Sequence, residues 1–441
     1  MKQPQHHFAP ERGWINDPNG MVYIDGEYHL FYQHYPDDIV WGPMHWGHAV
    51  SRDLLRWEYK EIALAPDELG YIFSGSCIYD KENVSGLGSV EQPPLLAVFT
   101  HHNPENGRQQ QSIAYSLDKE HFVKYERNPI IPNIGKKDFR DPKVFENPIR
   151  GGYTMALAAG PDVEFYHSIN LLDWKYTGKF TPGEHGYGGI CECPDCFPLV
   201  TADGTKWVLL VSMCLMEDEV DKARSEGGYA SAHRMQYYIG EFDGDKFIDT
   251  TCEDKPLLFD FGSDNYAAVT FADCPERIML GWGENWNYVN HTPASGYRGK
   301  MTLARKISLV NTKGGYRLCC EPIGVDGMDA KYSAISGDII TVDTDSFLLQ
   351  MDYEKGFELT FSLAEDKKFV IRGSEDKIIV DRSSCGVYAL TQEEKFKTHK
   401  YDEFVAPRFT MDSGHMDIAY DSGYFEMFAE NGLAVFSVMT Y

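Results

Sequence analysis

Three short segments carry acids in settings suited to catalysis. Trp14-Ile15-Asn16-Asp17-Pro18-Asn19-Gly20 sets Asp17 between an amide and a proline, close to an indole. Pro18 fixes its own φ and Gly20 permits a positive one, so the Asp17 carboxylate is expected to be held rather than mobile. Asp138-Phe139-Arg140-Asp141-Pro142-Lys143 and Cys191-Glu192-Cys193-Pro194-Asp195 repeat the theme. In each, an acid near a proline stands at the head of an apolar run: Met21-Val22-Tyr23, Val144-Phe145 and Phe197-Pro198-Leu199-Val200. Any one alone is ordinary surface-turn chemistry. Three together predict equivalent strands that deliver Asp17, Asp141 and Glu192 to a common point.

Converging carboxylates suit the breaking of a glycosidic bond. Cleavage with retention needs two of them, about 5–5.5 Å apart, one as nucleophile and one as acid and then base. The acid must stay protonated near neutral pH, which partial burial and neighbouring negative charge both favour. A third, fixed carboxylate, such as one paired with Arg140, can hold sugar hydroxyls and offset developing positive charge. These residue types point to glycosyl transfer or hydrolysis without naming the sugar.

Elements able to position the acids are legible in a second repeat. Trp46 to Trp57 reads WGHAVSRDLLRW, Gln111 to Phe122 QSIAYSLDKEHF, and Val163 to Trp174 VEFYHSINLLDW. Each has Ser, then Asp or Asn two residues on, then Trp or Phe six residues on. A looser copy, QYYIGEFDGDKF, spans Gln236 to Phe247. Copies recur about 50–75 residues apart, a spacing compatible with propeller blades. Between them lie short β-branched and aromatic runs at Tyr28–Gln33, Leu95–Thr100, Tyr153–Ala158, Trp207–Met213 and Arg277–Trp282. Units starting near Trp14, Ser74, Asp138, Ile190 and Asp264, and ending near Arg305, predict an all-β five-bladed β-propeller over residues 1–310. After a linker at about 311–324, alternating apolar and polar runs predict a C-terminal β-sandwich over residues 325–441, with a mainly structural role.

Composition limits the partners. A net charge of −26 argues against nucleic acid and anionic membranes, which would repel the chain at long range. Aromatic residues at 14% fit an all-β core and rings that stack on sugars. The N-terminal residues Met1-Lys2-Gln3-Pro4 include no apolar leader core, and no run is long enough to span a bilayer, so a cytoplasmic location is expected, with an extracellular one the alternative if a leader has been trimmed away. The ten cysteines then read as reduced thiols. Cys191, Cys193 and Cys196 form C-x-C-x-x-C, but no second ligand pair stands at metal-binding spacing, so buried thiols are expected and no metal.

These segments together resemble glycoside hydrolase family 32, the β-fructosidases, which include invertases, inulinases, levanases and sucrose-6-phosphate hydrolases. The likeness rests on Trp14 to Gly20, Phe139 to Lys143 and Glu192-Cys193-Pro194-Asp195. It continues through Tyr32-Gln33, Trp41 to His48, Phe73 to Ser76, Gly281-Trp282 and Arg298 to Leu303, and extends weakly to Tyr424 to Phe428. The resemblance implies a five-bladed propeller followed by a β-sandwich. It implies Asp17 as nucleophile, Glu192 as general acid/base and Asp141 as transition-state stabiliser. Asn16, Gln33, Trp41, Phe73, Ser74, Arg140 and Trp282 match positions lining the family's fructosyl subsite, and no cofactor is implied.

Three positions depart from the family's common pattern: Cys191 in place of Trp, Cys196 in place of Leu, and Tyr35 in place of Asn. The small Cys191 is expected to open room beside Glu192. The expected activity is exo-hydrolysis of terminal non-reducing β-D-fructofuranosides through a covalent fructosyl-enzyme. Sucrose-6-phosphate hydrolysis is the alternative, with fructosyl transfer, a non-catalytic fructan-binding protein and an arabinofuranosidase-like enzyme further off. The partner implied is a fructoside, small or oligomeric; association into a homo-oligomer stays open.

Overall fold

The computed structural model describes residues 3–225, 231–251, 253, 255–334, 340–385, 402–410 and 413–440. Among them strands dominate, and the one α-helix, Glu217–Ser225, is polar and nine residues long. Five antiparallel sheets follow one another along the chain, each built from four strands in sequence order apart from one insertion. Their first strands are Gly13–Ile24, Tyr71–Tyr79, Phe139–Glu146, Gly189–Thr201 and Tyr266–Thr270. First strands of consecutive sheets touch, and that of the fifth touches that of the first. The insertion, Tyr297–Arg298, leaves the fifth unit to pair in parallel with Gly13 and Trp14 of the first sheet.

The Ser-x-Asp repeat has a definite structural meaning. It is an Asx turn at the end of the third strand of a sheet. Asp53 Oδ1 accepts the backbone N–H groups of Leu55 and Arg56 at 3.0 and 2.7 Å. Asp118 does the same for Glu120 and His121 at 3.0 and 2.8 Å, and Asn170 for Leu172 and Asp173 at 3.1 and 2.9 Å. The residue after each acceptor, Leu54, Lys119 or Leu171, takes a positive φ. Asp243 repeats the bonds to Asp245 and Lys246 in the fourth sheet, where the match in sequence was looser.

The acid–proline motifs lie inside the first strands rather than ahead of them. Prolines are tolerated there because the first strand pairs on one side over the motif and needs no donor on the other. Each first strand carries a bulge at the motif, with three residues advancing against two on its neighbour. The intervals are Ile15 to Pro18, Ile72 to Gly75, Arg140 to Lys143, Glu192 to Asp195 and Tyr266 to Val269. Asp141, Cys193 and Ala267, the first residues inside three of these bulges, have φ of 64°, 43° and 53°. Bulges redirect side chains, and here five do so at one level of the fold. Gly20 also has a positive φ, as its place in the motif predicts, and a Cβ there would stand 2.8 Å from both Phe31 and Cys77.

Two further sheets complete the described chain. One holds Lys331–Ala334, Ser346–Glu354, Ser413–Asp421, Tyr424–Ala429 and Ala434–Met439; the other holds Phe357–Ala364, Lys367–Gly373, Lys377–Asp381 and Glu403–Pro407. Both contribute to one apolar core, where Phe369 stacks on Phe425 at 4.2 Å. Gly315–Pro322, inside the expected linker, is instead the fourth strand of the fifth sheet.

A buried ionic network ties the chain's beginning to these later sheets. Arg305 reaches Asp260 at 2.9 Å and Glu426 at 2.5 Å, while His7 bonds Glu426 at 2.7 Å and Asp421 at 3.0 Å. Asp421 also accepts the backbone N–H groups of Gln5, His6 and His7. Burial opposes a charge on His7, but the hydrogen bonds to Asp421 and Glu426 outweigh it and raise its pKa from 6.5 to about 9. Burial likewise opposes charge on Asp421, yet His7 holds it down from 3.8 to about 2.

The stability due to His7 is therefore full below pH 6.5 and lost as pH rises through about 9. That due to Asp421 is full above pH 3.8 and lost as pH falls through about 2. Removing one member of such a buried set costs about 3–5 kcal/mol. His7→Gln should thus lower Tm strongly near pH 6 and much less above pH ~9. Parallel melting curves across pH check this, and a pH-independent difference would reject it.

Candidate active site

The five bulges bring the three acids together from different register steps. Arg140, Glu192 and Tyr266 are each the last paired residue before the bulge in the third, fourth and fifth sheets. Their side chains join in a row: Arg140 Nη2 donates to Glu192 Oε1 at 3.0 Å, and Tyr266 Oη donates to Glu192 Oε2 at 2.5 Å. One step on stand Asp141 and Cys193. The Cys193 backbone N–H donates to Asp141 Oδ2 at 3.0 Å, and the Asp141 N–H donates to Thr100 Oγ1 at 3.1 Å. A further step on, Asp17 and Ser74 of the first two sheets meet, Ser74 Oγ donating to Asp17 Oδ2 at 2.6 Å. Asn16 Nδ2 donates to Asp17 Oδ1 at 2.9 Å, and its own Oδ1 accepts the Trp14 indole N–H at 2.8 Å. The Cys193 thiol links the steps, 3.5 Å from Asp17 and 3.6 Å from Asp141.

Electrostatics follow from three acids around one cation. Arg140 serves Glu192, Asp138 at 2.8 Å and, more distantly, Asp141 at 3.9 Å. Burial is the main reason the Asp141 pKa is raised to about 7; Arg140 opposes the rise, and the charges of Asp17 and Glu192 add to it. Burial also raises Asp17, opposed by the hydrogen bonds from Ser74 and Asn16 and reinforced by Glu192. Burial drives the Cys193 thiol well above its ordinary range, so it stays protonated as a weak donor to both aspartates.

Ser74→Ala removes a bond that favours the Asp17 anion, so the Asp17 pKa should rise further. The acid limb of the kcat/KM profile should move to higher pH in this variant, read from rates across pH 4 to 8 (about four decades of proton concentration). An unmoved limb with a uniformly lower rate would contradict the expectation.

The remaining expected site residues sit one layer out, and none hydrogen-bonds the acids. Gln33 is buried, with Nε2 donating to Asn19 Oδ1 at 2.9 Å and to the Ile72 carbonyl at 3.0 Å. Phe73 stacks flat on His102 at 4.3 Å, and Trp41, 41% exposed, meets Phe73 edge-on at 5.9 Å. Together they form an aromatic rim suited to a sugar face. Trp282 is buried against Trp14 and Trp286, and its indole N–H has no hydrogen-bond partner among the described residues.

Sequence reasoning missed Tyr266, Cys193 as a linking thiol, and Thr100. For Tyr266 a signal existed: it follows Asp264 at the start of the fifth unit, the register counterpart of Arg140 and Glu192.

The three cysteines of C-x-C-x-x-C diverge. Cys191 and Cys196 lie in one apolar cluster and Cys193 in another, and all three are free thiols. Cys191 does not open room beside Glu192. Its side chain is fully buried, with Sγ 3.9 Å from Met213 Sδ. Cys191→Trp should therefore overpack the fourth sheet and destabilise it by about 3 kcal/mol or more. A Tm unchanged from wild type, with altered preference between sucrose and oligosaccharide, would overturn this.

Comparison with known proteins places this arrangement. The model of the glycosyl hydrolases family 32 N-terminal domain matches residues 7–322. Levanase of Bacillus subtilis (strain 168) is 46% identical over 330 residues, a match covering 73% of this chain and 47% of that protein. The chain thus spans about half the length of that relative. Levanbiose-producing levanase of the same organism is 32% identical over 461 residues, covering 98% of this chain and 84% of its own. The crystal structure of exo-inulinase from Aspergillus awamori superposes with a TM-score of 0.82 at 26% identity, over 100% of this chain and 93% of that one. By a match that covers both the acid-bearing strands and all five N-terminal sheets, the chain belongs to glycoside hydrolase family 32.

Proposed function

We propose that this protein is a retaining exo-β-fructosidase that removes terminal non-reducing β-D-fructofuranosyl units from fructans and sucrose. The observation that carries the reading is the meeting of Asp17, Asp141 and Glu192 at five aligned bulges, with Arg140, Tyr266, Ser74 and Cys193 bonded between them. Asp17, aimed by Ser74 and Asn16, attacks the anomeric carbon. Glu192 protonates the departing oxygen, and the covalent fructosyl-enzyme forms. Glu192, now ionised beside Arg140, takes a proton from water, which attacks the anomeric carbon and frees Asp17. Asp141 holds fructosyl hydroxyls through both steps, and the wall of Trp41 and Phe73 receives the ring.

The names of the relatives support fructan over phosphorylated sucrose: two are levanases and one is an exo-inulinase. Among the described residues Arg140 is the cation within ion-pair reach of Asp141 and Glu192, and these two with Asp138 already occupy it.

In this reading the five sheets close as a five-bladed propeller and the last two form a sandwich. The cyclic touching of the first strands and the pairing of Tyr297–Arg298 with the first sheet support it. We take the first domain to end near Pro322 rather than residue 310, because Gly315–Pro322 completes the fifth sheet.

Fructose release from sucrose, sucrose 6-phosphate, inulin and levan, resolved by product size, tests the function. Single fructose units released from the polymers and from sucrose support exo-fructosidase action. Turnover confined to sucrose 6-phosphate, or no fructose from any substrate, rejects it.

A further inference from the structure

We propose that the unit departing from the fructosyl group rests beside Glu192 on the fourth sheet, where His233 Nε2 accepts one of its hydroxyls. The inference rests on the exo-fructosidase reading and adds to it a residue that selects the departing unit. An acid that protonates the departing oxygen must touch it, so that unit lies on the Glu192 side of the three acids.

Strand register places three side chains next to Glu192. Directly paired residues of antiparallel strands share a face, and so do residues two apart on one strand. Glu192 pairs with Ser212, which pairs with Met235. Two residues nearer the end of the sheet, Ile190 pairs with Cys214, and Cys214 with His233. Ser212 and Met235 are buried, whereas Ile190, Cys214 and His233 are each partly exposed. This outer row is therefore an accessible ledge flanking the acid. A groove of about 580 Å³, lined by Asp138, Gly189, Ile190 and Met216 among others, opens at its Ile190 end. That volume is within the size range of small-molecule sites.

His233 brings the strong acceptor of this row. Its backbone N–H donates to Ser231 Oγ at 3.2 Å, and its Nδ1 meets Asn287 Oδ1 at 2.9 Å. The ring also packs edge-on against Tyr266 at 5.6 Å, the residue that donates to Glu192 Oε2. These contacts fix the imidazole near the acid. Burial lowers its pKa from 6.5, against the raising charge of Glu192 and the bond to Asn287, so the ring is neutral at neutral pH. With its proton on Nδ1 facing Asn287 Oδ1, the Nε2 atom keeps a lone pair. Nε2 has no hydrogen-bond partner among the described residues and is open to solvent. A fixed, neutral acceptor suits an uncharged sugar hydroxyl, because little ordering is left to be done when the sugar arrives.

Steady-state kinetics of the full chain on sucrose and on methyl β-D-fructofuranoside test this. Both substrates need Glu192 as acid, but methanol brings no further hydroxyl to the ledge. His233→Asn keeps a donor facing Asn287 and removes the reach of Nε2. It should lower kcat/KM for sucrose by about five- to tenfold, the worth of one hydrogen bond, and for the methyl fructoside by less than about twofold. His233→Gln, whose amide oxygen reaches as far as Nε2, should stay within about twofold of wild type on sucrose. Equal losses on both substrates in His233→Asn would make the imidazole a support for Tyr266 and Glu192 and overturn the proposal. So would an unchanged kcat/KM on sucrose, or a loss in His233→Gln as large as in His233→Asn. Fructose release from neither substrate by the wild type would refute the exo-fructosidase reading itself, and the proposal with it.

Discussion

Asp17→Asn is expected to reduce kcat for fructose release on the order of 10⁴-fold or more while the fold stays intact. The amide keeps the size of the carboxylate, and its oxygen still accepts from Asn16 as Asp17 Oδ1 does at 2.9 Å. Ser74 can turn its hydroxyl to accept from the new amide nitrogen. What disappears is the charge that attacks the anomeric carbon in the proposed mechanism, and no other group touching the site is placed to replace it: Asp141 is bonded to the Cys193 amide, and Glu192 is taken up by Arg140 and Tyr266.

Stability should move in the opposite direction. Asp17 and Glu192 each push up the Asp141 pKa, so removing one of the charges relieves repulsion within a buried cluster. Kinetics on sucrose or inulin beside a melting curve would settle it. Activity within about tenfold of wild type would reject Asp17 as the nucleophile.

Glu192→Gln should cost about 10² to 10⁴ in kcat on sucrose, the range for losing a positioned acid and base. The loss should be smaller for an aryl β-fructofuranoside whose phenolate leaves without protonation, because only the base step is then missing. A second effect separates this prediction from general damage. Glu192 contributes a raising charge to Asp141, which stands near 7 chiefly because it is buried. Glu192 raises Asp17 in the same way, so removing this like charge eases ionisation of both aspartates, and the acid limb set by the Asp17 anion should move to lower pH in the variant. Rates on both substrates across pH decide the matter. Equal losses on sucrose and the aryl fructoside would reject Glu192 as the proton donor.

Much of this site was readable one segment at a time. The acid–proline motifs named Asp17, Asp141 and Glu192, and Asn16, Ser74 and Arg140 do touch them. The Ser-x-Asp repeat marked the ends of third strands because an Asx turn needs its acceptor at a fixed offset, and that is a local requirement. Tyr266 and Cys193 escaped notice for the opposite reason. Nothing local distinguishes a tyrosine at the head of one strand, and its role exists only because another sheet sets Glu192 beside it. Cys191 was misjudged on the same ground. Neighbouring Glu192 in sequence says nothing about which side of the strand the thiol takes, and it takes the apolar one.

By itself, then, the sequence determined which residue types are available for the proposed chemistry, the all-β class and the period of the repeated unit, since turn chemistry and strand patterning act over a few residues. Tertiary structure alone decided that the three acids stand at three successive register steps, that Arg140, Glu192 and Tyr266 form one bonded row, and that Cys193 lies between the aspartates. Those facts depend on how five separately paired sheets align their bulges, and on the burial that raises the aspartates once they have met. Neither the alignment nor the burial is a property of any single segment.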